Sequence, residues 1–233
     1  MVERGFVLRD LEAISSMPRY YAWKSAMVRP HIGRRLLEVG CGTGLMLERL
    51  RDRELLLGVD RDADCVKAAR IRLAGTAGLD IQVGDVLSPG FPALAGARPD
   101  TVLFVNTLEI VVDDLLAVRQ SGKVLEKGGK LVLLVSALPF LAGGLDKAHG
   151  QRRYSRRGLA ELMTAGGFQV ESVRYMNLLG VLGWWLDSRL RGKREMSPAE
   201  YRSRDRTVPL ARFLDALTGP PLGSSLLAVG IRE

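Results

Sequence analysis

The residues best suited to chemistry lie in one run, Leu37-Glu38-Val39-Gly40-Cys41-Gly42-Thr43-Gly44. Glycines at alternate positions let the backbone turn tightly and remove the Cβ atoms that would block a ligand. A helix opening directly after them would offer N–H groups and a partial positive charge, suited to a carboxylate or phosphate. Asp60 stands twenty residues after Gly40, where an acid accepts hydrogen bonds from both hydroxyls of a ribose. Within Gly84-Asp85-Val86, Asp85 can accept from an adenine amino group while the Val86 N–H donates to the ring. A dinucleotide fingerprint needs G-x-G-x-x-G. The spacing here is G-x-G-x-G, preceded by Glu38. A carboxylate there repels a pyrophosphate but engages an ammonium group. The combination fits a ligand with an amino-acid end, a ribose and an adenine.

Such residues work together only if the chain brings them to one edge. Short apolar runs predict strands over 36–39, 55–59, 81–83, 101–105 and 131–135, with further strands over 168–175 and 225–231. Between them the pattern predicts helices over 44–53, 62–73 (Asp62 as N-cap), 113–125 and 155–165. Strands alternating with helices at this spacing build a parallel sheet covered on both faces. Its strands then end where open α/β sheets bind ligands. Residues 1–34 read as a mixed N-terminal helical cap, in which Leu8, Leu11 and Ile14 suit a short amphipathic helix. The segment 177–215 is rich in Trp and Arg and reads as an insert before the last strand. No repeat or linker divides the chain, so 1–233 is taken as one domain, with a cofactor-binding core over 35–136 and a substrate-side half over 137–233.

The 233 residues, 47% hydrophobic and 26% charged, exclude a disordered or fibrous chain. Two cysteines, Cys41 and Cys65, make no disulfide scaffold. The N-terminus leads to no apolar h-region, and the longest apolar stretch, 131–145, is broken by Ser136, Pro139 and two glycines. These features predict a soluble cytoplasmic protein. Its charge is uneven: residues 1–146 carry 19 Lys/Arg against 18 Asp/Glu, and residues 147–233 carry 15 against 8. That surplus fits an anionic substrate, a membrane surface or a solvated face.

With these motifs in order, the chain resembles the class I S-adenosylmethionine-dependent methyltransferases, over nearly its whole length from Leu36. The resemblance rests on Glu38 to Gly44, Asp60, Gly84-Asp85-Val86, Phe104 to Glu109, and Leu125 to Lys130. It implies a Rossmann-like α/β fold: a seven-stranded, mainly parallel sheet, helices on both faces, and an antiparallel last strand. It implies S-adenosylmethionine as cofactor, S-adenosylhomocysteine as product and no metal. The implied cofactor contacts are Glu38, Gly40, Cys41, Gly42, Gly44, Asp60, Arg61, Asp85, Val86, Asn106 and Leu108. The reaction implied is methyl transfer to an oxygen or nitrogen of a small-molecule acceptor. A methyltransferase acting on nucleic acid or protein, and a non-catalytic cofactor-binding protein, are the alternatives.

A second resemblance, to a bacterial subgroup, covers Asp146 to Ser155, where a histidine-containing loop runs into Arg152-Arg153-Tyr154-Ser155. Here His149 precedes Gly150, the reverse of the subgroup's more frequent order. His149 is a candidate base because its ordinary pKa is near neutrality, or a loop-positioning residue. Tyr154 can bond the acceptor or cap the next helix. Tyr20 and Tyr21 fall in a segment that in this superfamily folds over the cofactor, and Trp23 is expected to pack on the sheet. Glu109 can touch the acceptor or begin a loop, and Asp113-Asp114 are expected to cap the following helix. Trp184 and Trp185, with Arg189, Arg191, Lys193 and Arg194 nearby, suit a lid over the acceptor, an interfacial helix on anionic lipid, or core packing. No RNA-binding appendage is recognisable, which ranks nucleic acid below these partners.

Overall fold

The computed structural model describes residues 14–94 and 98–233. The helix drawn through Leu8 and Leu11 lies mostly outside that range. Helix α1 spans Pro18–Val28, with proline at its first turn, where no N–H is missed. Strands β1 (Arg35–Val39), β2 (Leu55–Asp60), β3 (Leu79–Val83), β4 (Thr101–Val105) and β5 (Lys130–Ser136) follow in turn. Between them lie α2 (Ala63–Arg72), the single turn α3 (Phe91–Leu94) and α4 (Asp114–Val124). Then come α5 (Gly144–His149), α6 (Arg156–Ala165), β6 (Phe168–Met176), α7 (Leu178–Trp184) with a π-helical extension Trp185–Leu190, α8 (Pro198–Thr218) and β7 (Ser225–Arg232).

The strands form one sheet in the order β3-β2-β1-β4-β5-β7-β6. All pair in parallel except β7, which runs antiparallel to both β5 and β6. The strand order reverses between β1 and β4, the point where sheets of this kind open a binding crevice. Alternation along the strands sends side chains to opposite faces. Leu37, Val39, Val102 and Phe104 join a core closed by Ala117 and Val118 of α4 and Leu159 and Met163 of α6. Leu36, Leu56 and Leu103 join the other core, under Trp23 and Val28 of α1, Val66 and Ala69 of α2, and Val208 and Ala211 of α8. By the same alternation Glu38 shares Leu36's face, beneath α1.

One element departs from the pattern. The helix expected over 44–53 is a 3-10 turn, Leu47–Leu50. A 3-10 turn stacks positions i and i+3, which drops Leu47 and Leu50 together into the core, both fully buried. The other helices hold, with the expected caps: Asp62 accepts from the N–H groups of Asp64 and Cys65 at 2.9 and 3.2 Å.

Candidate functional site

The glycine turn is shaped by contacts from two strands. Gly40, Gly42 and Gly44 all have positive φ, at 70°, 51° and 78°. A Cβ on Gly40 would fall 2.1 Å from Cγ2 of Thr107, the residue after Asn106 beyond β4. Both features demand glycine there. The short 3-10 turn removes the helix N-terminus expected to meet a carboxylate. Four of the loop's own N–H groups are engaged as well. Those of Gly40 and Cys41 donate to the Val59 carbonyl, that of Gly44 to the Cys41 carbonyl, and that of Gly42 to Asp60 Oδ2 at 2.8 Å.

Glu38 is buried at the end of β1, and its Oε2 has no hydrogen-bond partner. Burial, then the nearby Asp60 carboxylate, pushes its carboxyl well above the usual range, against the pull of the Leu47 N–H and of Lys24. A buried carboxylate oxygen without a donor is rare enough to need a cause. An ammonium group brought by a ligand supplies one. Asp60 ends β2, its Oδ1 accepting from Asp62 N at 2.9 Å and its Oδ2 from Gly42 N. These bonds fix the carboxylate while leaving lone pairs on each oxygen for a ribose. Burial raises the Asp60 carboxyl, opposed by the same two N–H groups. Asp85 and Arg61 are exposed at the neighbouring strand ends, and Val86 is buried. Asp85 Oδ1 is turned back onto Leu87 N at 2.8 Å. This set of acceptors therefore fits a nucleoside with an amino-acid tail. Cys41 packs behind the turn toward Gly58, and burial drives its thiol far above the usual range, so it offers no nucleophile.

Beyond β4, Asn106 holds a left-handed conformation, φ 51°. Its Nδ2 donates to Glu109 Oε1 at 2.9 Å, and its Oδ1 accepts from Lys24 Nζ at 2.5 Å. Glu109 Oε1 also accepts from Ser136 N at 2.7 Å, while Oε2 is buried without a partner. Burial raises the Glu109 carboxyl against these bonds. Leu108, fully buried, anchors the turn between them. The Lys24 ammonium lies 4.6 and 5.0 Å from the ring centres of Tyr20 and Tyr21. The sequence reading missed Lys24; a single cation directly after Tyr20-Tyr21-Ala22-Trp23 was the available signal. Trp23 packs in the core, as expected.

Several acceptor-side expectations need correction. Tyr154 does not cap α6; Ser155 does, accepting from Gly158 N at 3.0 Å. The buried Tyr154 hydroxyl is tied to Asp114 Oδ2 at 2.9 Å, and burial raises its pKa. That tether engages the Tyr154 hydroxyl within the protein. Asp113 caps α4 through Leu116 N, but Asp114 instead takes Tyr154 and Arg152. Trp184 faces inward: its Nε1 donates to Asp146 Oδ2 at 3.1 Å, and the Arg153 guanidinium lies 4.6 Å from its ring centre. Trp184 is half-buried, and Trp185 is 45% exposed. His149 is half-buried at the end of α5, in the loop whose Arg152 N–H donates to the Glu109 carbonyl at 3.1 Å. Arg191, Lys193 and Arg204 converge on Asp187, which neutralises part of the basic insert.

Comparison with known proteins agrees with this architecture. The family model described as a methyltransferase domain matches residues 24–173. The chain belongs to that family. It is 31% identical over 118 residues to a ubiquinone biosynthesis O-methyltransferase of Brucella anthropi, covering 50% of this chain and 47% of that one. It spans about half the length of the first such curated relatives it matches. Among solved structures, a SAM-dependent methyltransferase from Thermotoga maritima overlays with TM-score 0.65 at 18% identity, covering 98% of this chain and 96% of the other. The [4+2]-cyclase SpnF overlays with TM-score 0.63 at 20% identity, covering 89% and 79%. These overlays establish the methyltransferase fold. Among the described residues no helix is long and apolar enough to cross a membrane.

Proposed function

We propose that the chain transfers a methyl group from S-adenosylmethionine to an oxygen, or by the same geometry a nitrogen, of a small-molecule acceptor. When bound, the cofactor supplies an electrophilic methyl group on a sulfonium whose departure leaves a neutral thioether. No covalent catalyst is then needed, and alignment provides most of the acceleration. Asp60 takes the ribose hydroxyls, Glu38 the ammonium of the amino-acid tail, and Asp85 with Val86 the adenine. Gly40, Gly42 and Gly44 keep the turn open, Cys41 fills its back, Asn106 and Leu108 shape the methionine end, and Arg61 flanks the ribose side. Tyr20, Tyr21 and Glu109 border the acceptor, with the His149 loop beside them.

An acceptor hydroxyl must lose a proton as it reacts. Glu109, with one unpartnered oxygen, and His149 are the groups on that side able to receive it. The curated relatives named as O-methyltransferases support oxygen as the acceptor atom. A single domain over 1–233, in a cytoplasm that keeps the two buried free thiols reduced, belongs to this reading.

The observation that carries the proposal is the unpartnered Glu38 oxygen beneath the glycine turn, one strand from Asp60. Calorimetry with S-adenosylhomocysteine tests it. Asp60→Ala removes hydrogen bonds to a charged acceptor worth about 1.5–3 kcal/mol each, so affinity should fall by roughly tenfold or more. Unchanged affinity rejects the assignment. Binding without turnover on any acceptor panel points instead to a cofactor-binding protein that is not a transferase.

A further inference from the structure

Lys24 is a cation without an anion. The residue is only 5% exposed, and among the described residues no ion pair within 4 Å includes it. One of its three N–H donors meets Asn106 Oδ1, and the rings of Tyr20 and Tyr21 face the rest. Removing an ammonium from water this far is costly unless something pairs with it. Glu38, which feels its charge, is the opposite defect: a buried carboxylate oxygen without a donor. Two buried, unmatched groups of opposite sign at the carboxyl ends of β1 and β4 complement a zwitterion.

The glycine turn has few N–H groups left for the negative end of that zwitterion. The N–H groups of Gly40, Cys41, Gly42 and Gly44 already donate to protein acceptors, and no α-helix begins after them. A carboxylate seated at the turn therefore finds a charged donor only from elsewhere. Helix α1 brings one across the sheet end, and it is held in place from the far side. Asp205 of α8 accepts from the N–H groups of Tyr20 at 2.9 Å and Arg19 at 3.3 Å, capping α1.

We propose that Lys24 receives the α-carboxylate of the cofactor's amino-acid tail while Glu38 receives its ammonium, so that α1 closes over the ligand through this pair. The inference rests on the cofactor reading above. Its test separates the two. Calorimetry compares S-adenosylhomocysteine with S-adenosyl-3-thiopropylamine, which keeps the ammonium and lacks only the carboxylate. The native chain should prefer the former by about tenfold to a hundredfold, the range for a hydrogen bond between charged groups.

Lys24→Met should erase that preference, lowering affinity for S-adenosylhomocysteine with little change for the thiopropylamine. Lys24→Arg should restore much of it. Equal weakening of both ligands by Lys24→Met would mean that Lys24 only packs α1, and overturns the proposal. So would a preference that survives the substitution. A native chain that binds neither ligand defeats the cofactor reading itself.

Discussion

Removing the carboxylate of Asp146 should cost more stability than any other single change on the acceptor side, because the structure makes it the hub of a buried knot. Its Oδ1 accepts from Arg153 Nε at 2.8 Å, and its Oδ2 from Gly143 N at 2.9 Å and Trp184 Nε1 at 3.1 Å. The Arg153 and Asp146 side chains are only 2% and 1% exposed. Burial lowers the Arg153 pKa, and the Asp146 charge opposes that shift. Asp146→Ala therefore strands a guanidinium in the interior, a loss of about 3–5 kcal/mol. For a chain of this length each kcal/mol moves the melting temperature by roughly 2–4 °C, so a fall of about 6–20 °C is expected. Differential scanning calorimetry reads it directly. The double variant Asp146→Leu/Arg153→Met buries no charge and should recover much of the loss. Affinity for S-adenosylhomocysteine should remain near the native value, since the knot touches none of the cofactor contacts. A fall below about 2 °C, or a double variant less stable than the single one, would refute the reasoning.

The remaining predictions concern protons and surfaces. In the folded chain Glu38 holds its proton to higher pH than in the unfolded chain, so its contribution to stability is complete below the ordinary carboxylate pKa and is lost as pH rises through the raised one. A ligand ammonium favours the charged form, so binding of S-adenosylhomocysteine should release a proton over that window. Calorimetry in buffers of different ionisation enthalpy measures the release, and Glu38→Gln should abolish it; a release that persists would clear Glu38 of this role. On α8, Arg202, Arg206, Leu210, Phe213 and Leu217 recur on one exposed stripe, the last three 55%, 64% and 71% accessible. Its acids turn elsewhere: Asp205 caps α1, Asp215 caps α7, and Glu200 pairs with Lys193. A face with cations and apolar groups but no acid matches an anionic bilayer. Phe213→Glu should cut binding to phosphatidylglycerol vesicles by roughly tenfold or more; equal binding by the variant, or to pure phosphatidylcholine, would sink that match.

Local features alone determined much of this protein. Short apolar runs marked the central strands of the sheet, because a strand buried on both faces must be apolar throughout. Asp62 and Asp113 declared their helices, since a cap acts on N–H groups two or three residues away. The glycine turn and Asp60 were legible for the same reason: the backbone conformation and the strand end are set within a few residues. The 44–53 stretch misled because Leu47 and Leu50 suit either helix type, and only the core beneath them selects the tighter turn. The tertiary structure decided what depends on contacts between residues far apart in the chain. Lys24 meets Asn106 across 82 positions, Asp205 reaches Tyr20 across 185, and Asp146 reaches Trp184 across 38. No periodicity records such pairings. They exist because folding places those side chains together in a medium too apolar to leave their charges unmatched.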